Sequence, residues 1–415
     1  MSTLNLPRIP LSAETLARFL GLMLIAWQPF WSGARLPTLL LVLVGLWMLW
    51  HKQIDFSATP AKRLGIVFLL LGIPVLISIP GSYDVQGSIS VAIVLLLFYL
   101  VGLALLQALK RDEDHQWLQK WLLIVLLAWV ADGYIQYFFG RDLLGVPLSE
   151  DGRILGPFGG NLHLGIFLTV LMPAVLWRLT KERPWLALVT LVLITFIAGM
   201  SGARSNVVFL LLGGAILFTQ FAWRHRLLMT AGIAGMLALT IALSPTLPAK
   251  LAQFATSPAE ASIPEKIDNA LSWRLTIWET GWRMMQDRPL TGVGANAFAE
   301  AYDIYSPRTD DPFRSDGPMK TPYHAHQMYL AVAAETGWPG LIGLIAIVGL
   351  CAAWLIQAPQ AQRQEAAPYA ASLAVIAFPI QSQPVLYTIW WFPIVLVLLC
   401  GMIAALTPVA STGKP

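Results

Sequence analysis

The chain has 415 residues, of which 57% belong to the hydrophobic set and only 12% are charged, about half the charged share of a soluble domain. That balance excludes a disordered chain, a nucleic-acid module and an ordinary soluble enzyme, and leaves a polytopic membrane protein. With 27 basic and 23 acidic residues the net charge is +4, too small for a nucleic-acid-binding surface.

In chain order, apolar stretches able to cross a ~30 Å hydrocarbon core fall at about 13–31, 35–50, 64–80, 87–109, 116–139, 162–179, 184–200, 205–222, 227–244, 327–356, 366–384 and 386–407. They predict an all-α, polytopic membrane helical bundle of about 12 transmembrane helices. The second is short; the tenth is long, and its first turns are free to rise above the bilayer. The first begins in a tail with Arg8 and Arg18 that resembles a signal peptide. No small-residue cleavage site follows Trp27–Trp31, so a retained helix is expected.

Basic residues set the expected sidedness. Alternate connections carry Lys52, Lys62 and Arg63; Lys110, Arg111 and Lys120; Arg178, Lys181 and Arg183; Arg224 and Arg226; and Arg363. The opposing short connections carry only Arg35, Arg141, Arg153 and Arg204. Both termini are therefore expected in the cytoplasm, with residues 245–325 outside as one large loop. The expected organisation is spans one to nine over 1–244, the loop over 245–325, and spans ten to twelve with a short tail over 326–415. Roughly 80 residues exceed an ordinary connection but are too few for an independent catalytic domain with its own deep core, so chemistry would be shared between the loop and the outer helix ends. Cys351 and Cys400 both lie in apolar runs, which argues against a disulfide framework or a cysteine-based zinc site.

Within the loop, Glu265–Asp287 reads as a helix between Pro264 and Pro289, with an apolar stripe of Ile267, Leu271, Trp278, Trp282 and Met285. Arg274 falls on that stripe with no acid three or four residues away. It is either stacked on a tryptophan, paired with a distant acid, or an anion contact facing the membrane cavity. Arg283, flanked by Glu279 and Asp287, reads as a solvated ion-pair residue. Asp310-Asp311 reads as solvated surface. Arg204 lies in Met200-Ser201-Gly202-Ala203-Arg204-Ser205-Asn206. An ionisable group there either snorkels to the headgroups or marks a substrate path.

Tyr323-His324-Ala325-His326-Gln327 opens the tenth span. If helical, two residues means about 200° of rotation, so only one imidazole would face a given cavity. Its choices are a general base, a capping or core histidine, or, least favoured, a metal ligand. Glu335, nine residues from His326 and so half a rotation away on a helix, reads as a bundle-interior pairing residue at least as readily as a catalytic one. Gly156–Asn161 and Arg288–Gly294 have the Gly/Pro content of tight turns. No Walker lysine motif and no strand-led glycine motif is present, so nucleotide chemistry has no support.

His326-Gln327, nine residues, then Gly337-Trp338-Pro339-Gly340 resembles the pattern of the O-antigen ligase family, within the wider group of ligases and O-antigen polymerases. Arg288-Pro289-Leu290-Thr291-Gly292-Val293-Gly294 resembles that family's turn after the loop helix. Arg204 and Arg274 resemble its two outer arginines, and the span pattern extends the likeness over most of the chain. Leu341-Ile342 departs from it, since a polar continuation is common there. The resemblance implies a cofactor-free, metal-independent glycosyltransferase of the bacterial inner membrane, active in lipopolysaccharide biosynthesis. The implied donor is undecaprenyl diphosphate-linked O-antigen and the implied acceptor is a sugar hydroxyl of lipid A–core, at the periplasmic face. In that reading Arg204 and Arg274 contact the diphosphate and His326 or His324 is the base. The competing readings are an O-antigen polymerase, a protein O-oligosaccharyltransferase and, from another class, a transporter. Polar candidates gathered at one face, without related halves, disfavour the last.

Overall fold

The computed structural model describes residues 12–30, 33–159, 162–202, 204–243, 268 and 272–407. Among them regular structure is helical throughout. The helices are α1 (Ala13–Ala26), α2 (Arg35–Trp50), α3 (Thr59–Ser78), α4 (Val85–Ala108), α5 (Asp112–Phe139), α6 (Leu164–Leu176), α7 (Leu179–Glu182), α8 (Pro184–Met200), α9 (Arg204–Phe218) and α10 (Trp223–Leu243). After residue 271 come α11 (Arg274–Asp287), α12 (Phe298–Tyr305), α13 (Met328–Gln357), α14 (Gln360–Ile376) and α15 (Phe392–Ala405). The expected all-α class is what the chain adopts.

Among the described residues five helices are long and apolar enough to cross a membrane: Thr59–Gly81, Val85–Ala108, Asp112–Phe139, Trp223–Leu243 and Met328–Gln357. Arg35–Trp50, Leu164–Leu176, Pro184–Met200, Ser205–Phe218 and Phe392–Ala405 are shorter apolar helices. Each of the long helices α3 and α4 buries one apolar face and exposes another. On α3, Leu64, Val67, Leu71 and Val75 are buried while Leu69, Ile73 and Leu76 are exposed; on α4, Ile89, Ile93 and Leu96 are exposed. Such stripes are costly against water and natural against lipid; the chain is a multi-pass membrane protein. Helix α4 packs on α1, α2, α3 and α15, while α14 packs on α15, α6 and α9.

Several boundaries differ from the sequence reading, each for a local reason. The eleventh and twelfth stretches, expected at 366–384 and 386–407, are interrupted: α14 stops at Ile376 and α15 starts at Phe392. Pro379 and Pro384 bracket Gln381-Ser382-Gln383 there, and proline denies the backbone its helical donors. The loop helix starts at Arg274 rather than Glu265; Glu265–Ile267 and Asn269–Leu271 lie outside the described residues. Ser272 and Trp273 take left-handed backbone, both with φ +60°. The Asp268 carboxylate then caps the new start, accepting the Leu275 N–H at 2.7 Å and the Thr276 hydroxyl at 2.6 Å. The buried face of α11 is also rotated from the expected stripe. Met285 is buried as expected, but Ile277, Thr280, Gly281 and Met284 also face inward, and Trp282 is exposed. Small residues let α11 lie close against α13, where Leu330 approaches Gly281; a tryptophan on that face would hold the helices apart.

Asp311 is buried rather than solvated, accepting bonds from the hydroxyls of Tyr302 at 3.0 Å and Ser306 at 2.6 Å. Only Asp310 is a surface residue, paired with Arg308. Arg283 does pair with exposed Glu279, at 2.8 Å.

Candidate active site

Three pieces of chain build the site: the start of α13, the turn after α11, and the connection between α14 and α15. The sequence placed the two histidines at the opening of a helix. They precede it instead, because Gln327 is the N-cap and its side chain accepts the Leu330 N–H. His326 has φ +51°, so the rotation argument for a helical pair does not apply. The two rings pack together, centroids 4.2 Å apart.

The α14–α15 connection holds this segment from the other side. Ser382 offers its carbonyl 3.0 Å from His324 Nε2. A carbonyl only accepts, so Nε2 carries the proton and Nδ1 the lone pair. Gln381 accepts the Met328 N–H at 2.9 Å, and the Gln327 amide donates to the Pro379 carbonyl at 3.0 Å. The Tyr329 hydroxyl donates to the Ala377 carbonyl at 2.6 Å. Sequence reasoning missed this partner by treating 366–407 as two apolar spans. The signal was present in Gln381-Ser382-Gln383 between two prolines.

The third piece interlocks with α13 at Gly337, where the helix is broken (φ +67°, ψ −164°). Val293 and Gly294 donate to the carbonyls of Ala334 and Glu335, at 2.9 and 3.0 Å, and Trp338 donates back to Pro289 at 2.8 Å. A Cβ on Gly292 would lie 2.3 Å from the Glu335 carbonyl carbon, and one on Gly337 would lie 2.5 Å from the Pro289 oxygen. The two glycine motifs read separately from the sequence are thus two halves of one backbone contact. Arg288 anchors the far side of the turn, donating to the Gly81 carbonyl at 2.8 Å and stacking over Tyr83. The nearby Tyr305 hydroxyl, foremost, holds the Arg288 guanidinium above its usual pKa.

Arg274, at the first turn of α11, stands close enough to act electrostatically on both histidines. Burial first, then the Arg274 charge, pushes His326 down to about 4. Burial, then His326 itself, pushes His324 down to about 3. Both imidazoles are therefore neutral at pH 7, able to accept a proton. They differ in access: His324 is buried and committed to Ser382, whereas His326 is half-buried. His324 also lines a narrow cleft with Glu335, Asn296 and Tyr387, a cleft that His326 does not line. The structure thus brings His324, His326 and Arg274 together.

Arg204 is the first residue of α9, and its side chain lies outside the described residues. Just after that start Asn206 is buried, donating to the Ser201 hydroxyl at 2.8 Å. Gly202, just before it, is backed by the Arg153 side chain. Among the described residues no group of three or more His, Cys, Asp or Glu side chains gathers as a metal site, and Cys351 and Cys400 are free thiols.

A helical, multi-pass membrane protein with a cation beside neutral imidazoles has the parts for transfer chemistry on an anionic substrate. Residues 189–345 match the family described as O-Antigen ligase. The match runs from α8 into α13, and covers Arg204, Arg274, both histidines and both glycine motifs. It bears out the resemblance read from the sequence, and it supports a membrane glycosyltransferase activity of the ligase and polymerase type. No curated protein gives a significant match.

Proposed function

We propose that the protein is an O-antigen ligase: it transfers polysaccharide from undecaprenyl diphosphate to a sugar hydroxyl of lipid A–core at the periplasmic face of the bacterial inner membrane. The observation that carries this reading is the juxtaposition of Arg274 with the half-buried His326. The donor's anomeric carbon–oxygen bond breaks, the acceptor oxygen forms the new bond, and undecaprenyl diphosphate leaves as an anion. His326 takes the acceptor's proton, a role worth typically 10²–10⁴-fold. Arg274, joined by Arg204, supplies charge-assisted and potentially bidentate hydrogen bonds to the diphosphate, stabilising charge as it builds. In-line displacement inverts the anomeric carbon. No metal or cofactor is required, because the diphosphate already activates the donor.

The same cation that holds the leaving group depresses His326. An anion bound to Arg274 offsets that charge and strengthens the base when the donor is in place. The reading carries with it about 12 spans, cytoplasmic termini and a periplasmic 245–325 loop. Both substrates are lipid-anchored, so their head groups meet at the rim of the bundle while their tails stay in the bilayer.

In vitro transfer tests it, using the purified protein, carrier-linked glycan and either lipid A–core or a second carrier-linked glycan. Product on lipid A–core alone is expected. Elongation of the second glycan would make the protein a polymerase. Movement of glycan into sealed vesicles with no new covalent bond would make it a transporter.

A further inference from the structure

Four basic residues, Arg35, Arg141, Arg153 and Arg204, fall on the short connections expected outside. Arg35 and Arg141 are exposed, and Arg141 donates to the Gly145 carbonyl of its own loop at 3.0 Å. Arg153 instead lies against the turn that opens α9. The Ser149 hydroxyl accepts its backbone N–H at 2.8 Å, and the next residue, Ile154, donates to the Met200 carbonyl at 3.2 Å. Gly202 has φ +77°, and a Cβ there would fall 2.5 Å from Arg153 Cδ and 2.8 Å from its Nε. The Arg153 side chain therefore runs over bare backbone at Gly202, two residues before Arg204. It is 19% exposed, and its Nε is buried with no hydrogen-bond partner among the described residues. A guanidinium carries five N–H donors; here only Nη2 is engaged, 2.6 Å from Asp151. That acid is half-exposed, so the pair is weak and replaceable.

We infer that Arg153 is a further binding residue of this site: with Arg204 it takes a phosphoryl anion at the turn that opens α9. Two arginines brought to one turn from different connections repel each other, and an anion bound there offsets that repulsion. The N-terminal end of α9, a helix of 15 residues, adds partial positive charge. A guanidinium with its stem pinned and its donors unused is set to hold a phosphoryl group by two parallel bonds. The Asp151 carboxylate holds that place until the anion arrives. The turn also borders the histidine site. Five residues after Arg153, Phe158 packs edge-on to His163, whose ring lies 6.0 Å from Trp390 in the connection that carries Ser382. The inference rests on the proposed function, whose donor diphosphate is such an anion; phosphates on lipid A–core would be another.

Equilibrium binding to the purified full-length protein tests it, with no transfer step needed. The probes are undecaprenyl diphosphate and lipid A–core with and without its phosphates. Arg153→Gln should weaken undecaprenyl diphosphate by about tenfold or more; a loss confined to phosphorylated lipid A–core would support the same contact with the acceptor as its source. Arg153→Lys should fall between wild type and glutamine, because the charge stays and the fork is lost. Asp151→Asn should tighten the same lipid by about threefold, since it removes the competing carboxylate. Arg141→Gln should leave binding unchanged. A purely structural ion pair predicts another pattern: Arg153→Gln and Asp151→Asn would lower the unfolding temperature alike, and neither would move binding. That result would overturn the inference. Should Arg153→Gln not fold, Arg153→Lys and Asp151→Asn carry the test, and wild-type affinity in both would overturn it. If the wild-type protein binds neither lipid, the proposed function fails and the inference with it. If the wild-type protein binds and Arg153→Gln binds equally well, the inference alone fails.

Discussion

Two buried histidine clusters lie toward opposite ends of α14, and they are built on opposite terms. Around His115 the charged groups are paired. Its Nδ1 is 3.0 Å from the Tyr369 hydroxyl; Asp114 takes both Arg18 and Arg111; Arg178 takes Glu365. All of this rests on regular helix. Around His324 and His326 the nearest charge is a cation, His324 Nδ1 is buried without a partner, and the backbone is strained. Of the six non-glycine residues with positive φ among those described, five (Ser272, Trp273, Asn296, His326 and Tyr387) belong to segments of this site; the sixth is Lys52. A charge-paired cluster on regular helix holds a fold together. An unsatisfied one on strained backbone is stable only because its surroundings enforce it, and such places are where function concentrates.

The contrast can be broken by substitution. The largest effect is expected at His326: alanine should reduce transfer by about 10²-fold or more while leaving the unfolding temperature near wild type. His115→Ala should do the reverse, lowering the unfolding temperature with a proportionate loss of active protein and an unchanged donor KM. A His115 variant that lost transfer at full stability would erase the distinction between the clusters. Next in size is Gly337→Ala. Its ψ of −164° at φ +67° is glycine's own region, and the new Cβ would meet the Pro289 oxygen. We expect a cost of about 1–3 kcal/mol, seen as a lower unfolding temperature and poor recovery of folded protein.

Arg274→Lys should follow, with transfer down about tenfold if a fork-shaped contact to the diphosphate matters; a wild-type rate would reduce it to a point charge. Smallest, but most diagnostic of the electrostatics, is the pH profile. His326 is pushed down to about 4, and the proposed base acts in its neutral form. The acid limb of kcat/KM, which reports the free enzyme, should therefore fall as pH drops through about 4. Binding of the anionic donor should move the limb of kcat to higher pH. Arg274→Gln should raise the free-enzyme limb, since it removes a charge that disfavours the imidazolium. A kcat/KM limb at the ordinary imidazole pKa in wild type would contradict the burial of His326.

Much of this was legible from the residues alone. Hydropathy gave the helical class, and the spacing of His326 from Gly337 and Gly340 gave the family that the match over 189–345 supports. The pairing of Arg283 with Glu279 followed from helical periodicity. What escaped was fixed by how segments fold onto one another, near or far in sequence. Asp311 looked solvated because Tyr302 and Ser306, which bury it, belong to a helix end and a turn whose approach no local pattern encodes. The rotated face of α11 escaped because small residues carry little hydropathy signal, although they permit the closest packing. Gln381 and Ser382 were hidden inside a run apolar enough to look like lipid-spanning helix. Their carbonyls, rather than their side chains, do the holding, and a carbonyl has no signature in a sequence.

The central claim is that His326, held neutral beside Arg274, removes the acceptor's proton. Single-turnover transfer by the purified His326→Ala protein, with donor binding shown intact, tests it most directly. The account predicts bound donor and a rate at least about a hundredfold below wild type; transfer at the wild-type rate would contradict it.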